Sequence, residues 1–362
     1  MKIKDIIGVL EAWAPKALQE EYDNCGLQAG DADMEVTKAL ITLDCTEAVV
    51  EEAVRHGCDL IIAHHPVIFG GLRSITGRTD VERTLLASIR NDVAIYAIHT
   101  NLDNVIDGVN GEIAARLGLR PVRVLDPKPG QLLKLAVFVP RTHSDRVRDA
   151  LFAAGAGRVG GYDECSFNTE GLGTFRAGEG TSPFTGKQGK RHGEAEVRVE
   201  VLCPVTVQVA VIAAMRAVHP YEEVAYDLYP IGNAHPGIGS GLIGEWKEPM
   251  EEEAFLKKLK DAFGPPAIRH SPLMGRPVRR VALCGGSGAF LIDKAMTAGV
   301  DAFITGDVKY HEFFKPDGRM ILADIGHYHS ERHTMDLIQR RLGEVLPTFA
   351  TRLTETVTNP IH

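Results

Sequence analysis

Between residues 38 and 117 the spacing of hydrophobic positions switches repeatedly between strand-like and helix-like periods. Lys38-Ala39-Leu40-Ile41-Thr42-Leu43-Asp44 reads as a strand, and Thr46 to His56 has helical spacing that ends at Gly57. The apolar run Leu60-Ile61-Ile62-Ala63 predicts a buried strand, and it delivers His64-His65-Pro66. A loop containing Gly70, Gly71 and Gly77 follows. Asp80 to Arg90 then carries Val81, Leu85, Leu86 and Ile89, the stripe of an amphipathic helix. Ala94 to Ile98 is a third strand, running into His99-Thr100-Asn101-Leu102-Asp103. A helix from about Gly111 to Leu117 closes at Gly118. Strands alternating with helices imply a mainly parallel sheet.

Pro127-Lys128-Pro129-Gly130 reads as a linker. Beyond it the pattern is strand-like at Leu133 to Val139, helical at Ser144 to Ala154, a long loop or hairpin at Gly171 to Gly193, strand-like at Ala195 to Leu202 and helical at Val205 to Val218. The β-α-β-β-α-β order predicts a ferredoxin-like α+β insert. From Pro277 the first pattern returns. Strand Val278 to Leu283 leads into Cys284-Gly285-Gly286-Ser287-Gly288 and a helix reaching Ala298. Strand Ala302 to Thr305 ends in Gly306-Asp307, and strand Met320 to Ala323 runs into Asp324-Ile325-Gly326-His327-Tyr328-His329-Ser330-Glu331. A last helix continues through Leu337 and Ile338 to Arg341. The expected fold is α/β: two similar lobes (1–128 and 235–362) with mainly parallel sheets forming one core, and an inserted α+β domain at 129–234.

The 362 residues are 44% hydrophobic in short runs, with no apolar stretch near the ~20 residues a bilayer crossing needs. The start, Met1-Lys2-Ile3-Lys4-Asp5, lacks the apolar block of a signal peptide, so a cytoplasmic location is expected. A net charge of -8 repels a polyanion unless basic residues cluster locally, which makes nucleic acid a poor default partner. Cys25, Cys45, Cys58, Cys165, Cys203 and Cys284 form no Cys-x-x-Cys pair and read as reduced thiols, mostly in the core.

Imidazole and carboxylate coincide where strands end: His64 and His65, His99 and Asp103, Asp307 and His311, His327 and Glu331. Open α/β sheets place their ligands at this carboxyl edge. The last two pairs are spaced i, i+4 and share one face if helical. Neutral imidazoles with carboxylates and no thiolate suit zinc, manganese or iron. Such a set could hold two ions about 3.5–4 Å apart. Each signal has a plainer reading. A doubled histidine after a strand is, alone, more often a hydrogen-bonded structural pair; His327 and Glu331 could be a helix-start ion pair; Asp103 could cap the following turn. The glycine-rich run at 284–288 could contact phosphate through its amides, but lacks the Lys-Ser/Thr of a P-loop and serves equally as a tight turn. His219-Pro220-Tyr221-Glu222-Glu223 could bind a ligand or simply enter a strand. His56, His143, His192, His235, His270, His333 and His362 read as surface or packing residues.

Taken together, His64-His65-Pro66, His99-Thr100-Asn101-Leu102-Asp103, Ile304-Thr305-Gly306-Asp307 and Gly326-His327-Tyr328-x-Ser330-Glu331 resemble the NIF-three-like family of dinuclear metal proteins, also called GTP cyclohydrolase I type 2 homologues. The insert, with Gly171-x-Gly173-x-Phe175-Arg176 and His219-Pro220-Tyr221-Glu222-Glu223, resembles the PII/CutA-like domain of longer members. The resemblance implies metal ligands at His64, His65, Asp103, His327 and Glu331, with one carboxylate bridging two divalent ions, zinc first and manganese or iron as alternatives. It leaves His99, Asp307, His311 and His329 outside that set; we expect His99 and Asp307 nearby, as orienting or proton-transfer groups. It further implies a ring-shaped homohexamer and a hydrolase that opens a purine nucleotide, GTP being the candidate, through a water bridging the metals. The rival readings are a metal-binding regulatory or scaffold protein and a nucleic-acid-processing ring.

Overall fold

A computed structural model describes residues 1–361; His362 lies outside them. The chain forms two compact units, Met1–Pro127 with Gly237–His362, and Lys128–Pro236. No helix among the described residues is long and apolar enough to cross a membrane.

The first unit holds two sheets. One has five strands in the order Gly26–Ala29, Ala94–Ala97, Leu60–Ala63, Lys38–Thr42, Ala350–Leu353. All its pairings are parallel except that of Gly26–Ala29 with Ala94–Ala97. The second has six, in the order Arg269–His270, Ile321–Asp324, Ala302–Thr305, Val278–Leu283, Gly239–Met250, Arg120–Pro127. Only its three middle strands from Val278 to Asp324 run parallel to each other. The long Gly239–Met250 strand pairs antiparallel on both sides, so this sheet is mixed rather than mainly parallel.

The two expected lobes also exchange strands. Arg120–Pro127, from the first half of the chain, pairs with Gly239–Met250 in the second sheet, and Ala350–Leu353, from the last residues, pairs with Lys38–Thr42 in the first. One apolar cluster running from Ile3 through Leu102, Leu242 and Ile304 to Leu342 is common to both sheets. The lobes therefore make one unit, because neither sheet is complete with strands of its own half.

Local chemistry explains the helix ends. Thr46 and Thr79 accept the amides of Val49 and Glu82, so helices Glu47–Arg55 and Asp80–Arg90 start where their hydroxyls satisfy free N–H groups. Helix Val109–Leu117 stops at Gly118, whose φ of 64° suits glycine.

The segment that follows the last strand, Ala350–Leu353, is clasped by Glu52 on helix Glu47–Arg55. Its buried carboxylate accepts hydrogen bonds from Thr354 Oγ1 at 2.6 Å, the Glu355 amide at 2.7 Å, and the Thr356 amide and hydroxyl at 3.0 and 2.6 Å. Burial works against the charge, but these four donors outweigh it and hold the Glu52 pKa down at about 2 from 4.5. A depressed carboxylate pKa stabilises the fold above the unfolded value and ceases to do so as pH falls through the folded one. Stability should therefore drop between about pH 4.5 and 2 through this group, and Glu52→Gln should cost roughly 1–3 kcal/mol at pH 7 in a urea titration while flattening that acid limb.

The second unit is a four-stranded antiparallel sheet in the order Ser166–Arg176, Arg191–Pro204, Leu132–Pro140, Tyr226–Pro230. Val197, Val199, Val201 and Cys203 alternate inward along one strand and pack with Val147, Leu151, Val211 and Met215 from helices Ser144–Ala153 and Gln208–Val218. The segment expected as loop or hairpin is a hairpin, in which Ser166–Arg176, largely exposed, pairs antiparallel with Arg191–Pro204. The six cysteines are free, five of them buried.

Candidate metal centre

In the first unit, parallel strands of both sheets end at one place. Leu60–Ala63 delivers His64 and His65, Ala94–Ala97 delivers His99, and Ile321–Asp324 leads to helix His327–Glu331. Asp103 closes the four-residue helix that begins after His99. The structure brings His64, His65, Asp103, His327 and Glu331 together. His65 Nε2 and His327 Nε2 lie 3.0 and 2.9 Å from Glu331 Oε2, and 3.3 Å from each other. His64 Nε2 lies 3.8 Å from Asp103 Oδ1 and 3.9 Å from Glu331 Oε1. The two oxygens of one carboxylate thus face different histidines.

Every ring is oriented from behind. His64 Nδ1 donates to the Ile98 carbonyl at 2.8 Å, which fixes the proton on that nitrogen and leaves Nε2 as a lone pair. His65 Nδ1 bonds Asp44 at 2.7 Å, His327 Nδ1 bonds Asp307 at 2.7 Å, and His99 Nδ1 bonds Asp23 at 2.8 Å. Asp307 adopts φ 54°, a costly conformation for a residue with a side chain, at the position that lets its carboxylate reach His327. Asp23 has a fully buried side chain and also accepts from the Thr100 hydroxyl and amide and from Cys25 Sγ.

Electrostatics agree with a cation-seeking cage. Burial opposes charge on His65, yet hydrogen bonds to Asp44 and Glu331 push its pKa up to about 10. His327 likewise rises to about 9 against its burial, through Glu331 and Asp307. Burial, then the Glu331 charge, pushes Asp103 up to about 7. Glu331, despite burial, is held well below its ordinary range by its histidines. Protons on the two histidines neutralise carboxylates that a metal would otherwise neutralise. Burial, followed by the charges of Asp103 and Glu331, raises the Cys284 thiol, which lies outside the clustered donor sets.

The donor set fits divalent ions. His64 Nε2 and Asp103 Oδ1 are buried without a hydrogen-bond partner, an arrangement that costs free energy unless something else satisfies them. Three overlapping sets of donor atoms lie within 4.8 Å: His64, Asp103 and Glu331; His65, His327 and Glu331; and His64, His65 and His99. Separations of 2.9–3.9 Å between donors bracket the ~3.4 Å edge of a tetrahedron with bonds of about 2.1 Å.

Glycines make the room. A Cβ on Gly286, which has φ 60°, would collide with Glu331 Oε1. In the glycine-rich run the amides of Gly285, Gly286 and Gly288 bond Asn110, Ser330 and Thr305. Those three donors are spent on structure, which favours the tight-turn reading over phosphate contact. His311 stays outside the cluster: the chain from Asp307 to Lys309 is irregular and a 3-10 turn starts only at Tyr310, so no helix places Asp307 and His311 on one face. His329 points elsewhere, against the Phe263 backbone. Asp44 and Asp23 were not singled out from the sequence. Asp44 follows a strand and obeys the strand-end rule, whereas Asp23 sits in an irregular segment that gives no signal.

A family model described as Duf34/NIF3 (NGG1p interacting factor 3) matches residues 1–360. The chain belongs to the NIF3 family. Relatives named GTP cyclohydrolase 1 type 2 homolog include one from Halalkalibacterium halodurans, 44% identical over 307 residues that cover 84% of this chain and 82% of the relative. Another, from Bacillus subtilis, is 38% identical over 343 residues, covering 94% and 91%. A crystal structure of a Bacillus cereus protein related to NIF3 superposes with a TM-score of 0.87 at 37% identity, covering 100% of this chain and 99% of that one. In this NIF3 protein the orienting carboxylates invite a direct check. Asp44→Asn and Asp307→Asn should each weaken metal retention roughly 10–100-fold in a chelator competition while leaving the thermal unfolding of the stripped protein nearly unchanged.

Proposed function

We propose that the chain is a dinuclear metal-dependent hydrolase acting on a purine nucleotide. One ion would be held by His64, Asp103 and Glu331, the other by His65, His327 and Glu331. The observation that carries this reading is the split of the Glu331 carboxylate between two donor sets, which is what a bridging ligand does. Each set offers three protein donors, the number that catalytic zinc sites use while keeping a position open. The ions, when bound, would supply Lewis-acid polarisation and a nucleophile at neutral pH; zinc fits the donors, with manganese or iron as alternatives.

The remaining chemistry belongs to the chain. Asp44 and Asp307 hold the histidine rings, and Asp23 holds His99 beside the donor cluster as a proton-transfer group. A cavity of about 410 Å³ opens onto the site. Tyr22, Phe69 and Phe290 on its wall are all more than half exposed and offer faces on which a base can stack. This open side speaks against a closed metal scaffold. GTP is the first substrate to try, since the relatives are named for a GTP cyclohydrolase, and opening of its ring at C8 is the expected reaction. We also read the second unit as a ferredoxin-like, PII/CutA-like insert and the assembly as a cytoplasmic homohexamer, which light scattering of the purified protein would test.

Protein loaded with zinc or manganese should consume GTP, with loss of the guanine absorbance band if the ring opens and phosphate release if a P–O bond is cut. Absence of turnover on GTP, other nucleotides and phosphodiesters by fully loaded protein would contradict the reading and favour the scaffold.

A further inference from the structure

The metal chemistry leaves unused a second cavity, of about 440 Å³, that lies within the four-stranded unit. Both sequence motifs of that unit converge on it. From Gly171-x-Gly173-x-Phe175-Arg176 come Gly173, Phe175 and Arg176; from His219-Pro220-Tyr221-Glu222-Glu223 come Tyr221, Glu222 and Glu223.

Its walls are aromatic. The Phe175 and Phe184 rings each stand 6.2 Å, centroid to centroid, from Tyr221, and Phe138 adds a fourth ring. Its charge is negative: three carboxylates, Glu196, Glu222 and Glu223, face one basic side chain, Arg176, a surplus of two.

The arrangement is built rather than incidental. Tyr221 donates its hydroxyl to Glu196 Oε1 at 2.7 Å. The other Glu196 oxygen lies over Gly173, where a Cβ would collide with it, so glycine in that motif is the space the carboxylate occupies. The turn bearing Tyr221 is fixed by His219, whose Nε2 donates to the Phe138 carbonyl at 3.1 Å while its Nδ1 accepts the Tyr221 amide at 3.1 Å. Glu222 accepts the Ser182 amide with both oxygens, at 3.0 and 3.1 Å, and so ties down the segment that carries Phe184.

The ligand class follows from these features. Among the described residues, donor groups close enough to share a metal ion occur only at the strand-end site, so the cavity's carboxylates do not converge on an inorganic cation. A phosphate-bearing ligand would bring more negative charge to a surplus of it. Aromatic faces attract cations, and a mostly apolar pocket with a few fixed polar groups is the ordinary form of a small-molecule site. We infer that the cavity binds an organic cation, an ammonium or guanidinium head on an apolar body, with the head at Glu196 and the body against Phe175, Phe184 and Tyr221.

Isothermal titration of the full chain tests this with phenethylamine and agmatine as probes and phenylacetate, which joins a similar apolar body to an anionic head, as the counter-probe. At least one of the two cations should bind once per chain, and more tightly than phenylacetate. Glu196→Gln should weaken that binding about tenfold or more, by removing the charge under the head group. Glu223→Gln, on an exposed residue, should weaken it more mildly without risk to folding. Glu331→Gln, in the other unit, should leave it unchanged. No binding of either cation at millimolar concentration, unaltered affinity in both cavity variants, loss of binding in Glu331→Gln, or tighter binding of phenylacetate would each overturn the inference.

Discussion

Glu331→Gln should strip the protein of both ions in one substitution. The variant keeps the shape of the side chain but withdraws the shared negative charge, and each of the two donor sets then falls from three good ligands to two. On the proposed two-ion reading the loss should exceed the roughly 10–100-fold that removing an outer partner costs, because a direct ligand to both ions would be gone. Metal analysis after gel filtration should fall from about two ions per chain toward none. Thermal unfolding gives an independent readout. A chelator should lower the midpoint of the natural protein, since an ion that binds only the folded state stabilises it, and should leave the midpoint of the variant where it was. A variant that retained one tightly held ion would mean that the carboxylate does not bridge.

Gly306→Ala should cost the fold a large share of its stability and loosen the site. A Cβ there would lie 2.7 Å from the His327 amide nitrogen, 2.8 Å from the Gly286 carbonyl oxygen and 3.0 Å from the Gly326 carbonyl carbon, all of them backbone atoms that cannot rotate aside. The bond from the Gly306 amide to the Gly286 carbonyl, 2.8 Å long, would have to give way. Overpacking of this kind typically costs about 1–3 kcal/mol, and the rigid surroundings put this site at or above the upper end. Gly299→Ala is the control. It has φ 64° but nothing within 4 Å of its Cβ position, so only the left-handed backbone penalty of roughly 1–2 kcal/mol applies. Urea unfolding of both variants should show Gly306→Ala as the more damaged and, unlike Gly299→Ala, as also poorer at holding metal, because the His327 amide is the atom displaced.

What the sequence made legible was whatever local pattern dictates. Four apolar residues before His64 and the alternation of strand and helix between residues 38 and 117 located the strand ends, and the histidines and carboxylates sit at those ends in the structure. Partnership over long distances was not legible. Nothing in the short strand Ala350–Leu353 announces that it completes the first sheet beside Lys38–Thr42, because parallel pairing leaves no turn in between to mark it. The same holds for Arg120–Pro127, whose pairing with Gly239–Met250 spans the entire inserted unit. At the site, spacing alone suggested that His311 would join Asp307, which fails because residues 307–309 are irregular and a 3-10 turn begins only at Tyr310. Asp23 escaped notice for the opposite reason: it reaches His99 from a segment without regular structure, and only folding reveals the contact. The pocket in the second unit was half visible, as two motifs without an evident shared purpose.

Anomalous scattering from crystals of the metal-loaded protein, collected at the absorption edge of the metal it carries, locates the ions directly. Two peaks per chain should appear, one contacted by His64 and Asp103, the other by His65 and His327, with Glu331 touching both. A single peak, or two peaks that share no carboxylate, would contradict the bridged two-ion site.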